Sequence, residues 1–336
     1  MECKMNKKTL VTVLAAVFVL VTAAFLHKSF TAIAAEEKKP IKIAASTWPG
    51  WSHVFLAKEK RFFEKNNVDV ELTHIHEHID AQVPFLNNEV DGVFQCLTDT
   101  IIQNTEISSK VVYVSDYSSA GDVIVGKTDT LSSLKGKTVG VEGLNTFSHI
   151  FVLKALEGAG LDESDVQFKI VPAHKLLGAL EEGTIDAGHT WEPTKSDAIE
   201  KGYKILAAAG DNPGIISDLL VFHSKIIERR PEDIQAIIKS LVEAQEYRDA
   251  HWEESIRIMA EAVEMSYEDM ESGLQGTMQL DLQGNVDAMK KSDDPISLYV
   301  SYKFITDFYL ERGQLPKAPR FDEIMEPRFV NQLNKE

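Results

Sequence analysis

Two tryptophans, Trp48 and Trp51, lie three positions apart in the stretch "ASTWPGWSHVFLAKEKRFF" (residues 45–63), on either side of Pro49 and Gly50. Proline and glycine break regular structure, so both indoles are expected in or beside a turn between a strand and a helix. Large aromatic rings usually require burial, which a turn provides only if another part of the chain or a ligand covers them. The spacing therefore predicts a ligand-binding turn, although Trp51 can instead pack in the core.

Further aromatic, acidic and polar side chains follow the predicted ends of other strands, where the ligands of parallel sheets bind. Besides the two indoles, the candidate ligand contacts are Gln95, Asp122, Glu142, Asn145, Thr146, Ser148, Trp191, Glu192 and Asp218. This set contains several carboxylates and neither lysine nor arginine. Aromatic faces beside carboxylates favour a ligand that carries an ammonium or amidinium group, or a flat heteroaromatic ring.

Several of these candidates also have a purely structural interpretation. Glu192 can simply cap the helix that follows it. Asp122 and Asp218 lie on segments predicted to cross between two lobes, where they can fix a hinge through backbone hydrogen bonds. Asn145 and Thr146 precede a predicted helix, whose N-terminus can hold an acidic end of the ligand without a basic side chain.

The stretch "HIHEH" (residues 74–78) suggests a metal site, because His74, His76 and His78 alternate onto one face if the preceding strand continues that far. The alternative is a polar rim after the strand, with His76 or His78 touching the ligand. No further cluster with metal-ligand spacing adjoins the histidines in sequence. We therefore expect no metal and no cofactor.

Cys96 is the only cysteine that follows residue 34. A single cysteine cannot form an internal disulfide, so Cys96 is expected to be buried and inert. No G-x-S-x-G motif, phosphate-binding loop or G-x-G-x-x-G motif follows a predicted strand, and we expect no enzymatic activity.

Residues 1–34 have the features of an export signal. Three lysines precede an apolar run over residues 10–26, and Ala32-Ile33-Ala34 offers a small-residue cleavage site. We therefore expect a periplasmic or other extracytoplasmic location, the alternative being an uncleaved N-terminal anchor. The formal net charge of −17 makes nucleic acid and anionic lipid unsuitable partners.

The remaining chain alternates short β-branched runs with helical stretches, in two series of the same plan. The first series has strands at 41–46, 68–75 and 90–96 with helices at 53–66 and 82–88; the second has strands at 137–143, 166–171 and 185–191 with helices at 146–160 and 174–183. Crossing strands are predicted at 110–127 and 217–225, and helices at 230–251, 252–264, 266–275 and 295–312. This order predicts an α/β fold with one lobe over 41–121 and 222–336 and a second lobe over 122–221.

Five stretches of the chain resemble the nitrate/sulfonate/taurine-type (thiamin-pyrimidine-like) substrate-binding proteins of ABC importers. They are "TWPGWSHVFLAKEKRFFEKNNVDVEL", "NNEVDGVFQC", "LKGKTVGVEGLNTFSHIFVLKALEGAGL", "ALEEGTIDAGHTWEP" and "DLLVFHSKIIERRPEDIQAIIKSLVEA". The resemblance implies a type II periplasmic-binding-protein fold, a two-lobed Venus flytrap with two interlobe crossings. It implies a monomer that captures a small molecule and delivers it to an ABC permease and its ATPase, so that it meets the membrane only through the permease or an uncleaved anchor.

Two alternatives to transport stay open in the sequence. A ligand-sensing protein that feeds a membrane signalling protein would use the same cleft. A related branch of the fold makes the thiamin pyrimidine and carries a cysteine-rich motif, of which this chain has only Cys96 in the comparable "DGVFQC" neighbourhood.

Overall fold

The alternating strands and helices fold around two separate β-sheets. The computed structural model describes residues 39–335, and the predicted signal peptide lies outside them. The first sheet has six strands in the order β11-β4-β10-β3-β1-β2. Its strands are β1 (Ile41–Ala45), β2 (Val70–His74), β3 (Gly92–Cys96), β4 (Ser109–Ser118), β10 (Ser217–His223) and β11 (Thr277–Gln279).

The second sheet has five strands in the order β7-β6-β8-β5-β9. Its strands are β5 (Val123–Gly126), β6 (Thr138–Val141), β7 (Gln167–Ile170), β8 (Ala187–Thr190) and β9 (Lys204–Ala208). In both sheets a central strand has a parallel neighbour on each side, β1 between β2 and β3 and β6 between β7 and β8. Within each sheet, an antiparallel strand lies next to the parallel triplet: β10 pairs with β3, and β5 pairs with β8. The predicted α/β class and its repeated plan are therefore confirmed.

Helices join and cover these strands. Along the chain they are α1 (His53–Glu59), α2 (Phe62–Lys65), α3 (His78–Leu86), α4 (Leu97–Gln103), α5 (Phe147–Gly158), α6 (Leu176–Glu181), α7 (Thr194–Glu200), α8 (Ser224–Arg229), α9 (Pro231–Ala250), α10 (Trp252–Ala262), α11 (Tyr267–Gln275), α12 (Leu282–Ala288), α13 (Leu298–Glu311), α14 (Phe321–Ile324) and α15 (Arg328–Leu333). None of the described helices is both long and apolar enough to span a membrane.

Local sequence accounts for several helix boundaries. Proline is at the first position of α9, acidic Glu232 is in its first turn and Arg248 in its last, all favourable for the helix dipole. The Ser266 side chain caps α11 by accepting from the backbone N–H of Asp269 at 3.0 Å. The helix predicted over 53–66 is instead two helices, because Arg61 between α1 and α2 is left-handed with a φ of 60°.

The chain passes between the two sheets at a bend after β4. The backbone N–H groups of Ser119, Ala120 and Gly121 all donate to the carbonyl of Gly276, at 2.9, 2.8 and 2.8 Å. Gly276 follows α11, so the bend is fixed to the helical layer over the first sheet. The chain returns to the first sheet in β10, which begins at residue 217. The sequence analysis placed the start of the returning segment of the first lobe at residue 222. The division of the chain into two lobes stays a prediction.

The sequence analysis did not predict two edge strands, β9 and β11. β9 is largely exposed and lies at the edge of the second sheet, and β11 has only three residues and pairs with β4. Neither carries the buried β-branched run that marks the inner strands. Both join an existing sheet, so residues 39–335 form two sheets and no third.

We predict that Gly92→Ala destabilises the protein by about 1–3 kcal/mol through overpacking. Gly92 lies opposite Phe222 in the first sheet, and an added Cβ would lie 2.6 Å from the Phe222 ring. The matched control is Gly158→Ala in α5, where an added Cβ meets nothing within 4 Å. Urea denaturation measures both variants, and equal stability of the two would contradict the packing account.

Candidate functional site

A cavity lies where the ends of the two sheets face each other, and the space inside it and at its open mouth together is about 280 Å³. The first sheet and its connections supply Ser46, Thr47, Trp48, Trp51, His78, Cys96, Ile216 and Asp218; the second supplies Asp122, Phe147 and Trp191. The strand ends predicted to carry ligand contacts therefore do meet. Among the described residues, no lysine or arginine lines this cavity.

Three tryptophans form the aromatic part of the wall. The Trp48 ring lies edge-to-face with Trp191 from the other sheet at 6.3 Å and with Trp51 at 6.4 Å, centroid to centroid. Trp51 is 1% exposed, and its Nε1 donates to the Ser46 carbonyl at 2.8 Å. Trp51 therefore packs in the core and also lines the cavity. Its environment includes features of both sequence interpretations, core packing and a position at the ligand-binding turn.

Trp48 is anchored by a buried carboxylate. Its Nε1 donates to Asp116 Oδ1 at 3.3 Å. A Cβ on Gly50 would clash with both Asp116 Oδ2 and Trp48 Nε1, and one on Gly121 would lie 2.7 Å from the Trp48 ring. These two glycines leave the space that the indole occupies.

Asp116 and Asp218 are cross-strand neighbours on β4 and β10. Cys96 pairs with Asp218 on the other side, and its Sγ donates to Asp218 Oδ1 at 3.7 Å. Burial raises the pKa of Asp218 well above its usual range, and the nearby charges of Asp116 and Asp122 raise it further. Burial also raises the pKa of Asp116. The two carboxyl groups therefore retain protons where exposed aspartates have lost theirs.

The second sheet contributes a buried acid–imidazole pair. Asp122 Oδ1 lies 2.8 Å from Nε2 of His189, and both side chains are fully enclosed. Glu142 is close by, and burial raises the pKa of its carboxyl group. Among the described residues, no partner is found for Glu142 Oε2 or His189 Nδ1. Buried polar atoms are normally paired, so these two indicate a place for a polar ligand.

His78 forms a second acid–imidazole pair, on the first sheet's side. Its Nε2 lies 2.9 Å from Asp99 Oδ2, and its ring stacks on Trp51 at 5.9 Å. Burial opposes the charged imidazole, but the hydrogen bond and the charge of Asp99 outweigh it and raise the pKa of His78. His78 is the one histidine of "HIHEH" that lines the cavity.

The three histidines of that stretch do not share a strand face. β2 ends at His74, and His78 already begins α3. His74 Nε2 lies 2.8 Å from Thr47 Oγ1, and the rings of His74 and His76 are 4.9 Å apart. The strand does not continue far enough for the metal hypothesis that required it.

Glu142 and four further predicted contacts lie outside the cavity lining, and these four have local partners. Gln95 is buried and donates to Thr100 Oγ1 at 3.0 Å. Ser148 Oγ accepts from the Glu142 N–H at 3.1 Å, and Thr146 Oγ1 donates to the Gly143 carbonyl at 2.8 Å. Asn145, with a φ of 63°, forms the left-handed position of the same turn before α5.

Glu192 also lies outside this cavity and lines a neighbouring depression together with Thr47 and Trp191. Its side chain accepts from the Ser196 N–H at 3.1 Å, consistent with the predicted capping role. It further pairs with Lys195 at 2.7 Å and accepts from Ser272 Oγ, on the helix α11, at 2.7 Å. Glu192 therefore links the second sheet's side to the first.

Sequence reasoning did not single out Phe147, Ile216 and His189, and it treated Cys96 as a core residue away from the site. Phe147 and Ile216 are apolar, so nothing in their residue type distinguishes them from the core. His189 did give a signal, because a histidine inside the buried strand "AGHT" requires a partner. Cys96 is buried as predicted, and burial raises the pKa of its thiol.

Comparisons with known proteins agree with this architecture. A family model described as the NMT1-like family matches residues 34–264. A putative binding protein of Brucella abortus is 25% identical over 248 residues, covering 71% of this chain and 76% of the relative. The structure of the periplasmic aliphatic sulphonate-binding protein SsuA of Escherichia coli matches with a TM-score of 0.71 at 19% identity, covering 88% of this chain and 100% of the other. These matches confirm the resemblance and the fold.

The same fold also occurs in an enzyme. The structure of the desulfurization enzyme DszB matches with a TM-score of 0.64 at 14% identity, covering 88% of this chain and 99% of the other. Its likeness extends to the fold alone.

We predict that Asp218→Asn gains stability relative to the wild type as pH rises from about 4 to about 8. A buried acid with a raised pKa stabilises the fold fully below its unfolded pKa and progressively less as pH rises toward the folded value. The gain should not exceed about 1.4 kcal/mol per pH unit. Urea denaturation across this range tests it, with exposed Asp69→Asn as control. A pH-independent difference between Asp218→Asn and the wild type would contradict the raised pKa of Asp218.

Proposed function

We propose that this chain, which belongs to the NMT1-like family, is an extracytoplasmic solute-binding protein that captures one small polar molecule between its two sheets. The observation that carries the proposal is the composition of the cavity wall. Both sheets contribute an indole to it, Trp48 and Trp191, and both contribute a buried carboxylate, Asp218 and Asp122. A ligand in this position contacts both sheets at once, so its binding favours the form in which they are close.

The relatives support a binding role for the cavity. The Brucella relative is named as a putative binding protein, and the Escherichia coli structure is that of a periplasmic sulphonate-binding protein. By this analogy the chain delivers its solute to an ABC permease and its ATPase, and acts as a monomer. The export features of residues 1–34 support the location that such delivery requires.

The cavity chemistry argues against a nucleophilic enzyme. Among the residues that line the cavity, Cys96 carries the side chain that is intrinsically the strongest nucleophile. A cysteine reacts as the thiolate and not as the thiol. Burial and the neighbouring charge of Asp218 raise the pKa of Cys96 well above its usual range, so the group stays a thiol at neutral pH. This argument supports binding without turnover, even though the fold also serves a desulfurization enzyme.

The charge of the wall favours an amine-bearing or heteroaromatic solute over a simple anion. An ammonium group between the indole faces gains a cation–π interaction of about 0.5–2 kcal/mol per ring. Asp122 supplies an acceptor in the cavity wall on the second sheet's side. Glu142 lies outside the lining, and its Oε2 has no partner among the described residues. The name of the Escherichia coli protein indicates a sulfonate ligand. In this cavity a sulfonate would lie near the carboxyl groups of Asp122 and Asp218, and the described lining contains no lysine or arginine to pair with it.

Binding requires the two sheets to separate before they close. Trp48 and Trp191 contact each other across the cavity, so a solute must part these rings to enter. Outside the cavity, His174 pairs with Glu77 at 2.9 Å across the same opening. This pair is partly exposed, so its contribution is small and its opening easy.

We predict that Trp48→Ala and Trp191→Ala each weaken solute binding by about 1–3 kcal/mol, from lost ring burial and cation–π attraction. A thermal-shift screen of amines, pyrimidines and aminosulfonates first identifies the solute, because a ligand at 100 times its dissociation constant adds about 2.7 kcal/mol of stability. Calorimetry then measures each variant.

The control is Trp252→Ala on α10, whose indole Nε1 donates to Glu271 at 2.8 Å and does not line the cavity. Its affinity for the solute should equal that of the wild type. Unchanged affinity in both cavity variants would mean that the solute binds elsewhere. Steady chemical conversion of the bound solute, followed by mass spectrometry, would refute the binding role itself.

A further inference from the structure

Three potential metal ligands of different chemistry meet on the first sheet's side of the cavity. They are an imidazole nitrogen of His78, the thiol sulfur of Cys96 and a carboxylate oxygen of Asp99, and these atoms all lie within 4.8 Å of one another. His78 begins α3, Cys96 ends β3, and Asp99 is in the first turn of α4. All three side chains are buried, so the group is held by three packed elements.

A metal ion could replace the protons that the side chains of His78, Cys96 and Asp99 now hold or share. His78 Nε2 and Asp99 Oδ2 are 2.9 Å apart across a hydrogen bond. Imidazole nitrogen, thiolate sulfur and carboxylate oxygen are the usual zinc ligands, at about 2.0–2.3 Å from the ion. Ligands that close to one ion lie about 3–4 Å from each other. Small side-chain rotations would bring the three atoms to this spacing.

Asp218 lies beside this group and has partners of its own. It is 2% exposed, lines the same cavity, and accepts from the Cys96 thiol at 3.7 Å. Its carboxyl group is also hydrogen-bonded to that of Asp116, its neighbour across β4 and β10.

We propose that His78, Cys96 and Asp99 bind one divalent transition-metal ion of the zinc type. The site departs from the expectation of no metal and differs from the "HIHEH" hypothesis, since only His78 is common to both. Its ligands lie on the first sheet's side of the cavity proposed for the solute, since His78 and Cys96 both line that cavity. Asp122, Glu142 and Trp191 remain available to the solute.

The test uses Co²⁺ as a spectroscopic probe on the chelator-treated, dialysed full-length protein. A cobalt–thiolate bond gives a near-ultraviolet charge-transfer band, and four-coordinate Co²⁺ gives intense visible bands. We expect both to saturate at one equivalent and to disappear when Zn²⁺ is added. Cys96→Ser should lose the charge-transfer band, and Asp99→Asn should weaken binding by about tenfold or more.

The matched control is His251→Asn, because His251 is an exposed imidazole outside the cavity and its loss should change neither band nor affinity. Circular dichroism confirms that each variant is folded before titration. No saturable binding by the wild type, or equal binding by Cys96→Ser and Asp99→Asn, would overturn the site. Repeating the solute titration with EDTA separates the two proposals, since solute binding that persists in EDTA leaves the binding function intact if the metal site fails.

Discussion

The burial of carboxyl groups where the two sheets meet is the constraint on which the other features of the cavity depend. Asp116 and Asp218 face each other across β4 and β10, the strands by which the chain leaves the first sheet and returns to it. A carboxylate without water is costly unless it is protonated, hydrogen-bonded or paired with a cation. Asp116 accepts from Trp48, Asp218 accepts from Cys96, and Asp122 pairs with His189. Trp48, Cys96 and His189 are therefore each held by a contact with a buried acid.

Two of these acids also flank the bend by which the chain passes between the sheets. The bend at Ser119, Ala120 and Gly121 is fixed to the Gly276 carbonyl by three backbone hydrogen bonds. The acids Asp116 and Asp122 lie before and after this bend in the chain. Glu192, which reaches Ser272 on α11, makes a similar contact farther along the opening.

The sequence was sufficient for the architecture because its signals are local. Alternation of β-branched runs and amphipathic helices predicted both parallel triplets, and the edge strands β9 and β11 were missed because they lack a buried run. The site was only partly predictable. Position at a strand end correctly brought Trp48, Trp191, Asp122 and Asp218 to one cavity. The hydroxyl groups of Ser148 and Thr146 are instead hydrogen-bonded to the backbone of the turn before α5. These bonds depend on the backbone geometry of the turn, which sequence spacing does not determine.

The central claim is that the buried acids select a positively charged solute. Calorimetry can test it directly by comparing an ammonium-bearing solute with its neutral isostere, in the wild type and in Asp122→Asn. A charge-assisted hydrogen bond of about 1.5–3 kcal/mol predicts that the wild type prefers the ammonium form by at least about tenfold. The variant should lose most of this preference while still binding the neutral isostere. Equal wild-type affinity for both solutes, or tighter binding of a simple sulfonate, would contradict the account.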